Sequence, residues 1–285
     1  MTRLFLGLPA PAKLNLFLHV IGRRADGYHE LQSAFVPIGL MDLLDFERRD
    51  DGVIERTGDV IGPLGRDLCV RAAQLLQAAS GTAYGAGIEV TKRIPAGSGM
   101  GGGSSDAATT LIALNRLWDL GWPRARLIEL GATLGADVPF FLGASAAFVE
   151  GIGERLTPIE WPPSRFAVIH PQIAVSTAEI FNDPGLTGST KPTIIAAFSA
   201  RRGEFPRALF GANDLEAVVR RRFPGVDSAL KRLGRFGPAR MTGSGSAVFV
   251  PVASAAQAQS AIESLPAGWE GWAVRSLSEL PLAAW

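Results

Sequence analysis

Between Ala12 and Ile21 apolar positions alternate: Leu14, Leu16, Leu18 and Val20 fall on one side, Lys13, Asn15, Phe17 and His19 on the other. Period two predicts a strand, read here as half-buried. The same spacing sets Lys13 and Asn15 on one face, roughly 6.6 Å apart along the strand. Arg23 to His29 is polar and pivots on Asp26-Gly27. Val36 to Glu47 reads as further strand with a turn near Gly39.

The period then lengthens. Leu68, Ala72, Leu75, Leu76 and Ala79 have helical spacing, predicting a helix over 67–79. Ile88, Val90 and Ile94 return to period two, with Lys92 as the exception. Ala107, Ala108, Leu111, Ile112, Leu114 and Trp118 recur at close to helical period, and Arg124 to Leu134 predicts a second helix. Strands are expected at 146–150, 166–170, 247–252 and 272–277, and helices at 212–222, 226–233 and 254–264. Strands and helices mix without a regular β-α-β-α series, so an α+β fold in two domains fits better than a doubly wound sheet. Pro158, Pro162 and Pro163 mark the expected boundary, giving domains of 1–157 and 158–285.

Composition narrows the function classes. At 47% hydrophobic residues the 285-residue chain can bury a sizeable core. A formal net charge of +1 gives no reason to expect nucleic acid or an acidic membrane surface as partner. Cys69 is the single cysteine, which excludes an internal disulfide, and its apolar neighbours predict a buried, inert thiol. His19, His29 and His170 lack zinc-ligand spacing, so no protein-built metal site is expected. The first residues lack a signal-peptide pattern, and the charge-free stretch 241–262 is broken by Pro, Ser, Gly and Gln. A cytoplasmic protein without a membrane partner is expected, and its oligomeric state is left open.

The most informative segment is Ile94 to Asp106, with five glycines in seven residues between an expected strand and an expected helix. Without a Cβ, glycine lets backbone N–H groups approach a phosphate closely. The helix expected to begin near Ser104 offers free N–H groups and a positive dipole end. Gly97, Gly99 and Gly102 satisfy G-x-G-x-x-G, so a dinucleotide site is one reading, though no βαβ series surrounds it. A P-loop would end in Gly-Lys-Ser/Thr, and this run has no lysine. The cation for a transferred phosphate must come from elsewhere. A flexible glycine linker is the plain structural alternative.

Three segments carry a family resemblance. The run Pro95, Ala96, Gly97, Ser98, Gly99, Met100, Gly101, Gly102, Gly103, Ser104, Ser105 resembles the second motif of the GHMP kinases, the galactokinase, homoserine kinase, mevalonate kinase and phosphomevalonate kinase relatives. The segments 11–18 (PAKLNLFL) and 241–249 (MTGSGSAVF) are similar to the first and third motifs. Arg24 to His29, Leu31-Gln32 and Leu134 to Phe140 further resemble the branch of that family whose substrate carries a cytidine diphosphate group. The resemblance implies a domain like ribosomal protein S5 domain 2 followed by a ferredoxin-like domain, with the active site between them. It also implies ATP with Mg²⁺ and a small-molecule alcohol as acceptor.

Phosphoryl transfer to an alcohol needs positioning, charge neutralisation and a proton acceptor. The resemblance assigns Asp137 as catalytic base and Lys13 as its cationic partner. From spacing alone, Asp137 reads first as a turn or capping residue and Lys13 as a position on a solvated face. The resemblance also assigns Tyr28 and Phe181 as rings that sandwich a cytosine, His29 as base reader, and Asn15 and Thr177 as further substrate ligands. Without it, Phe181 reads as core and Tyr28 as a turn aromatic. Gly243, Ser244 and Gly245 are implied to support the phosphate end of the site. Pro171-Gln172 stands where the family pattern has Pro-Gly. The competing functions are a sibling kinase with no cytosine to stack, a catalytically silent binding protein on the same fold, and a dehydrogenase.

Overall fold

The computed structural model describes residues 4–186, 188 and 190–285. Among the described residues, ten strands form two sheets. The first sheet holds β1 (Leu4–Arg23), β2 (His29–Arg49), β3 (Ile54–Gly58), β4 (Gly85–Thr91), β5 (Ala147–Gly151) and β6 (Arg155–Pro158). β1 and β2 form a long antiparallel hairpin closed by the expected turn, where Gly27 takes φ +89°. β4 pairs with the Leu43–Arg49 end of β2 and β5 with its Leu31–Phe35 end. Helices α1 (Leu68–Ser80), α2 (Gly102–Leu117), α3 (Arg124–Ala132) and α4 (Val138–Leu142) cover this sheet. Their apolar faces meet Leu44, Phe46, Ile88 and Val90 in one core. Asp67 caps α1 by accepting hydrogen bonds from the N–H groups of Cys69 and Val70.

The second sheet holds β7 (Arg165–His170), β8 (Arg240–Met241), β9 (Val248–Val252) and β10 (Glu270–Arg275), in the order β10-β7-β9-β8, all antiparallel. Counted within this half, the order is 4-1-3-2, the ferredoxin-like arrangement. Its helices are α5 (Thr177–Phe181), α6 (Ile195–Ala200), α7 (Glu216–Arg222), α8 (Pro224–Leu233) and α9 (Ala255–Ile262). A shared core joins the two halves: Leu14, Leu16, Phe17 and Ile38 of the first sheet pack with Phe166, Val168 and Phe249 of the second.

That shared core corrects the reading of β1. The strand is buried on both faces, with Lys13, Asn15 and Phe17 as enclosed as Leu14 and Leu16. The alternation registered one polar face, but that face points into a cleft rather than into solvent. Gly39 corrects a second expectation. No turn forms there; β2 runs on, and Gly39 and Leu40 fall in a register shift between the pairs Pro11↔Met41 and Ala12↔Ile38. The helix expected over 212–222 starts only at Glu216, because Asn213 and Asp214 are tied to β1 and to the 241–243 loop. The helix after the glycine run starts at Gly102, two residues before the expected position.

Candidate active site

The glycine run leaves β4 and enters α2. Gly101 caps that helix at φ +76° and makes no side-chain cap bond, so the first N–H groups of α2 stay open. A Cβ on Gly101 would stand 2.9 Å from the Phe141 ring and 3.4 Å from Lys13 Cε. Gly99 also lies at positive φ, and a Cβ there would fall 2.3 Å from the Thr242 carbonyl oxygen. The two glycine loops therefore touch, and Ala247 N–H donates to Ser98 O at 3.0 Å.

Both loops open onto one cavity of about 630 Å³. Pro95, Ala96, Gly97, Ser98, Gly99, Gly101, Gly102, Gly103 and Ser104 line it, with Gly243 and Ser244 from the second loop. Met100 and Ser105 point instead into the protein and are fully buried. Gly245 lies behind the cavity, where a Cβ would press on Met241 Sδ at 2.7 Å.

Lys13, Asn15, Asp137, Thr177 and Phe181 all face this cavity. Asp137 precedes α4 but its side chain makes no capping bond. Its carboxylate turns instead to Lys13, with Oδ2 3.6 Å from Nζ. Lys13 Nζ also donates to Asn15 Oδ1 and sits 4.5 Å from the centre of the Phe35 ring. Burial lowers the pKa of the Lys13 ammonium, and the Asp137 charge opposes that fall. Thr177 Oγ1 and Ser244 Oγ share a hydrogen bond of 2.7 Å, which ties α5 to the second glycine loop.

The aromatic end differs in part from a simple sandwich. Phe181 stacks on His29, with ring centres 5.3 Å apart and planes at 27°. Burial and the neighbouring Arg23 lower the His29 pKa. Tyr28 is 61% exposed on the hairpin turn and does not line the cavity, and neither does His29.

Two groups went unread in the sequence. Lys92 bridges Asp42 and Asp106, standing 2.6 Å from Asp106 Oδ2. Asp42 also accepts from the N–H groups of Arg93 and Ile94, fixing the entry to the glycine run. Burial pushes the Asp106 carboxyl up to about 7; Lys92 opposes this and the Asp42 charge adds to it. A polar Asp42 between Met41 and Leu43 and the off-pattern Lys92 were the available signals. The second group is the far wall of the cavity, where Ile61 and Leu68 supply apolar surface beside the Arg56–Asp67 ion pair. Cys69 lies next to that wall, buried as expected, with its thiol pKa raised by burial.

Known proteins resemble this chain in sequence and fold. Residues 67–145 match the model of the GHMP kinases N terminal domain, and residues 194–271 match GHMP kinases C terminal. The 4-diphosphocytidyl-2-C-methyl-D-erythritol kinase of Ralstonia nicotianae is 56% identical over 277 residues, covering 96% of this chain and 95% of its own. The chain is a GHMP kinase. The enzyme of the same name from Cupriavidus necator is likewise 56% identical, over 97% of this chain and 94% of its own. Among solved structures, a 4-(cytidine 5'-diphospho)-2C-methyl-D-erythritol kinase superposes with a TM-score of 0.77 at 36% identity, covering 97% of this chain and 99% of that one. The Methanococcus jannaschii mevalonate kinase, at 15% identity and a TM-score of 0.66, shares the fold. In this GHMP kinase, among the described residues, no helix is long and apolar enough to cross a membrane. Among the same residues, no group of three His, Cys, Asp or Glu side chains is arranged to hold a metal ion.

Proposed function

We propose that this chain transfers the γ-phosphoryl group of ATP to the 2-hydroxyl of 4-diphosphocytidyl-2-C-methyl-D-erythritol, giving ADP and the 2-phosphate. That is a step of the non-mevalonate route to isopentenyl diphosphate, and we place it in the cytoplasm. The observation that carries the reading is the pair of buried Lys13 and half-buried Asp137 facing the glycine loop inside one cavity. The names of the relatives at 56% identity supply the substrate.

Asp137 accepts the proton of the acceptor hydroxyl as the oxygen attacks. Lys13 lies beside that carboxylate and stabilises charge on the migrating phosphoryl group. The open N–H groups of the glycine run and of α2 bind the phosphates, and Gly243 and Ser244 close the site from the other half. The wall of Ile61 and Leu68 takes the adenosine end. At the other end Phe181 offers a stacking face, His29 reads the cytosine edge, and Tyr28 on the exposed turn supplies the second ring when substrate is bound. Asn15 and Thr177 contact the same substrate. Mg²⁺ neutralises phosphate charge when bound with ATP. Asp106, which lines the cavity at the start of α2 with Oδ1 left without a partner, would supply a protein oxygen, with phosphates and water filling the rest.

A domain boundary after residue 157 belongs to the same proposal. The last strand of the first sheet ends at Pro158 and the first of the second begins at Arg165. The test of function is substrate choice. Purified protein with ATP should release ADP with the cytidine-bearing alcohol and not with homoserine or mevalonate. ADP release with either of those alone would move the assignment to a sibling kinase.

A further inference from the structure

Asn15 is held at both ends of its amide. Ser33 Oγ donates its one proton to the Phe17 carbonyl. Toward Asn15 it can therefore only accept, and Asn15 Nδ2 donates to it at 3.0 Å. This fixes which way the amide faces. Its oxygen lies at the opposite end, where Lys13 Nζ and Thr242 Oγ1 both donate to it, the latter at 3.2 Å. Thr242 Oγ1 in turn accepts from the Asn15 backbone N–H at 2.9 Å, which leaves its own proton for Oδ1. Lys13, Asn15, Ser33 and Thr242 are each at most 3% exposed, so a hydrogen bond left unmade among them is costly.

We propose that Ser33 and Thr242 are positioning residues for phosphoryl transfer, acting by locking the Asn15 amide with its oxygen toward the Lys13 ammonium. The inference rests on the reading of Lys13 under the proposed function. With the amide reversed, Nδ2 donors would face a cation and Oδ1 would face a hydroxyl whose proton is already committed. Both contacts are unfavourable in a buried site. The locked amide gives Lys13 an acceptor on one side and Asp137 on the other, with the Phe35 ring beneath it. One amide hydrogen on Nδ2 remains for a ligand. Thr242 belongs to the second glycine loop, so the lock also ties that loop to the orientation of Lys13.

The test compares full-length wild type with Thr242→Val, Thr242→Ser and Ser33→Ala. The chain has four lysines, Lys13, Lys92, Lys191 and Lys231, so isotope-labelled lysine allows the Lys13 ammonium to be titrated by NMR. In Thr242→Val and Ser33→Ala its pKa should fall by about one unit, because the loosened Asn15 amide no longer holds its oxygen toward the ammonium. In the same variants kcat should fall about tenfold, with KM for ATP unchanged. Thr242→Ser keeps the hydroxyl and should restore both quantities relative to Thr242→Val. A Lys13 titration identical to wild type in the folded variants overturns the proposal, and so does an unchanged kcat. If Thr242→Val fails to fold, Ser33→Ala decides alone. If wild type does not turn over the cytidine-bearing alcohol, the functional reading fails, while the NMR titration still decides whether the lock acts on Lys13.

Discussion

Lys13 Nζ and Asp137 Oδ2 lie 3.6 Å apart, a strand lysine and a helix-start aspartate joined across the floor of one cavity. The lysine is almost wholly enclosed and the aspartate side chain is 30% exposed. The carboxylate is therefore the member of the pair that a substrate hydroxyl can reach. Asp137→Asn keeps the shape and removes the proton acceptor. Its kcat should drop on the order of 10²- to 10⁴-fold, while ATP binding measured by calorimetry stays close to wild type.

The pH dependence follows from the enclosed lysine. Burial lowers its pKa from the ordinary 10.5, so the catalytically useful ammonium is lost at a pH below that value. The alkaline limb of kcat should fall below pH 10.5 accordingly. Stability responds in the same interval. Between the folded pKa and 10.5 the unfolded chain binds more protons, so the Lys13 contribution to stability rises with pH. Lys13→Met removes that slope. Thermal melts at increasing alkaline pH should show any stability advantage of Lys13→Met narrowing.

Phe181 tests the nucleotide end. Stacking on a base contributes about 1–3 kcal/mol, so Phe181→Ala should raise KM for the cytidine-bearing substrate by about 5- to 150-fold. KM for ATP should not change, because the ring is proposed to stack on the cytosine. Steady-state kinetics with each substrate varied in turn separates the two.

Gln172 stands where related sequences are expected to place glycine, and its backbone takes φ +57°. That left-handed conformation costs a residue with a Cβ about 1–2 kcal/mol. Glycine relieves it but gains freedom in the unfolded chain, which offsets roughly 0.5–1 kcal/mol. Gln172→Gly should therefore leave stability equal or raise it by up to about 1.5 kcal/mol, read from urea melts, with turnover unchanged.

Much of this fold was legible because its elements have one apolar face. The helices after Asp67 and after the glycine run were readable from spacing, and α1 begins where Asp67 caps it. Elements without a polar face were not. All five residues of α4 are buried, so Val138 to Leu142 carries no periodicity to read. The enclosure of β1 was hidden for a related reason: Lys13 and Asn15 look like a solvated face until the second sheet closes over them. The glycine runs were visible locally, as a backbone without side chains. The meeting of Lys13 with Asp137, and of Asn15 with Thr242, is long-range packing that spacing alone does not encode. The family resemblance supplied the first of these and not the second.

Product analysis tests the central claim most directly. Purified protein is incubated with ATP and 4-diphosphocytidyl-2-C-methyl-D-erythritol and followed by ³¹P NMR. The account predicts one new phosphate-monoester resonance per ADP formed, with the diphosphate of the substrate intact. ADP formation no faster than with ATP alone, or a phosphate released to water without the new ester, would contradict it.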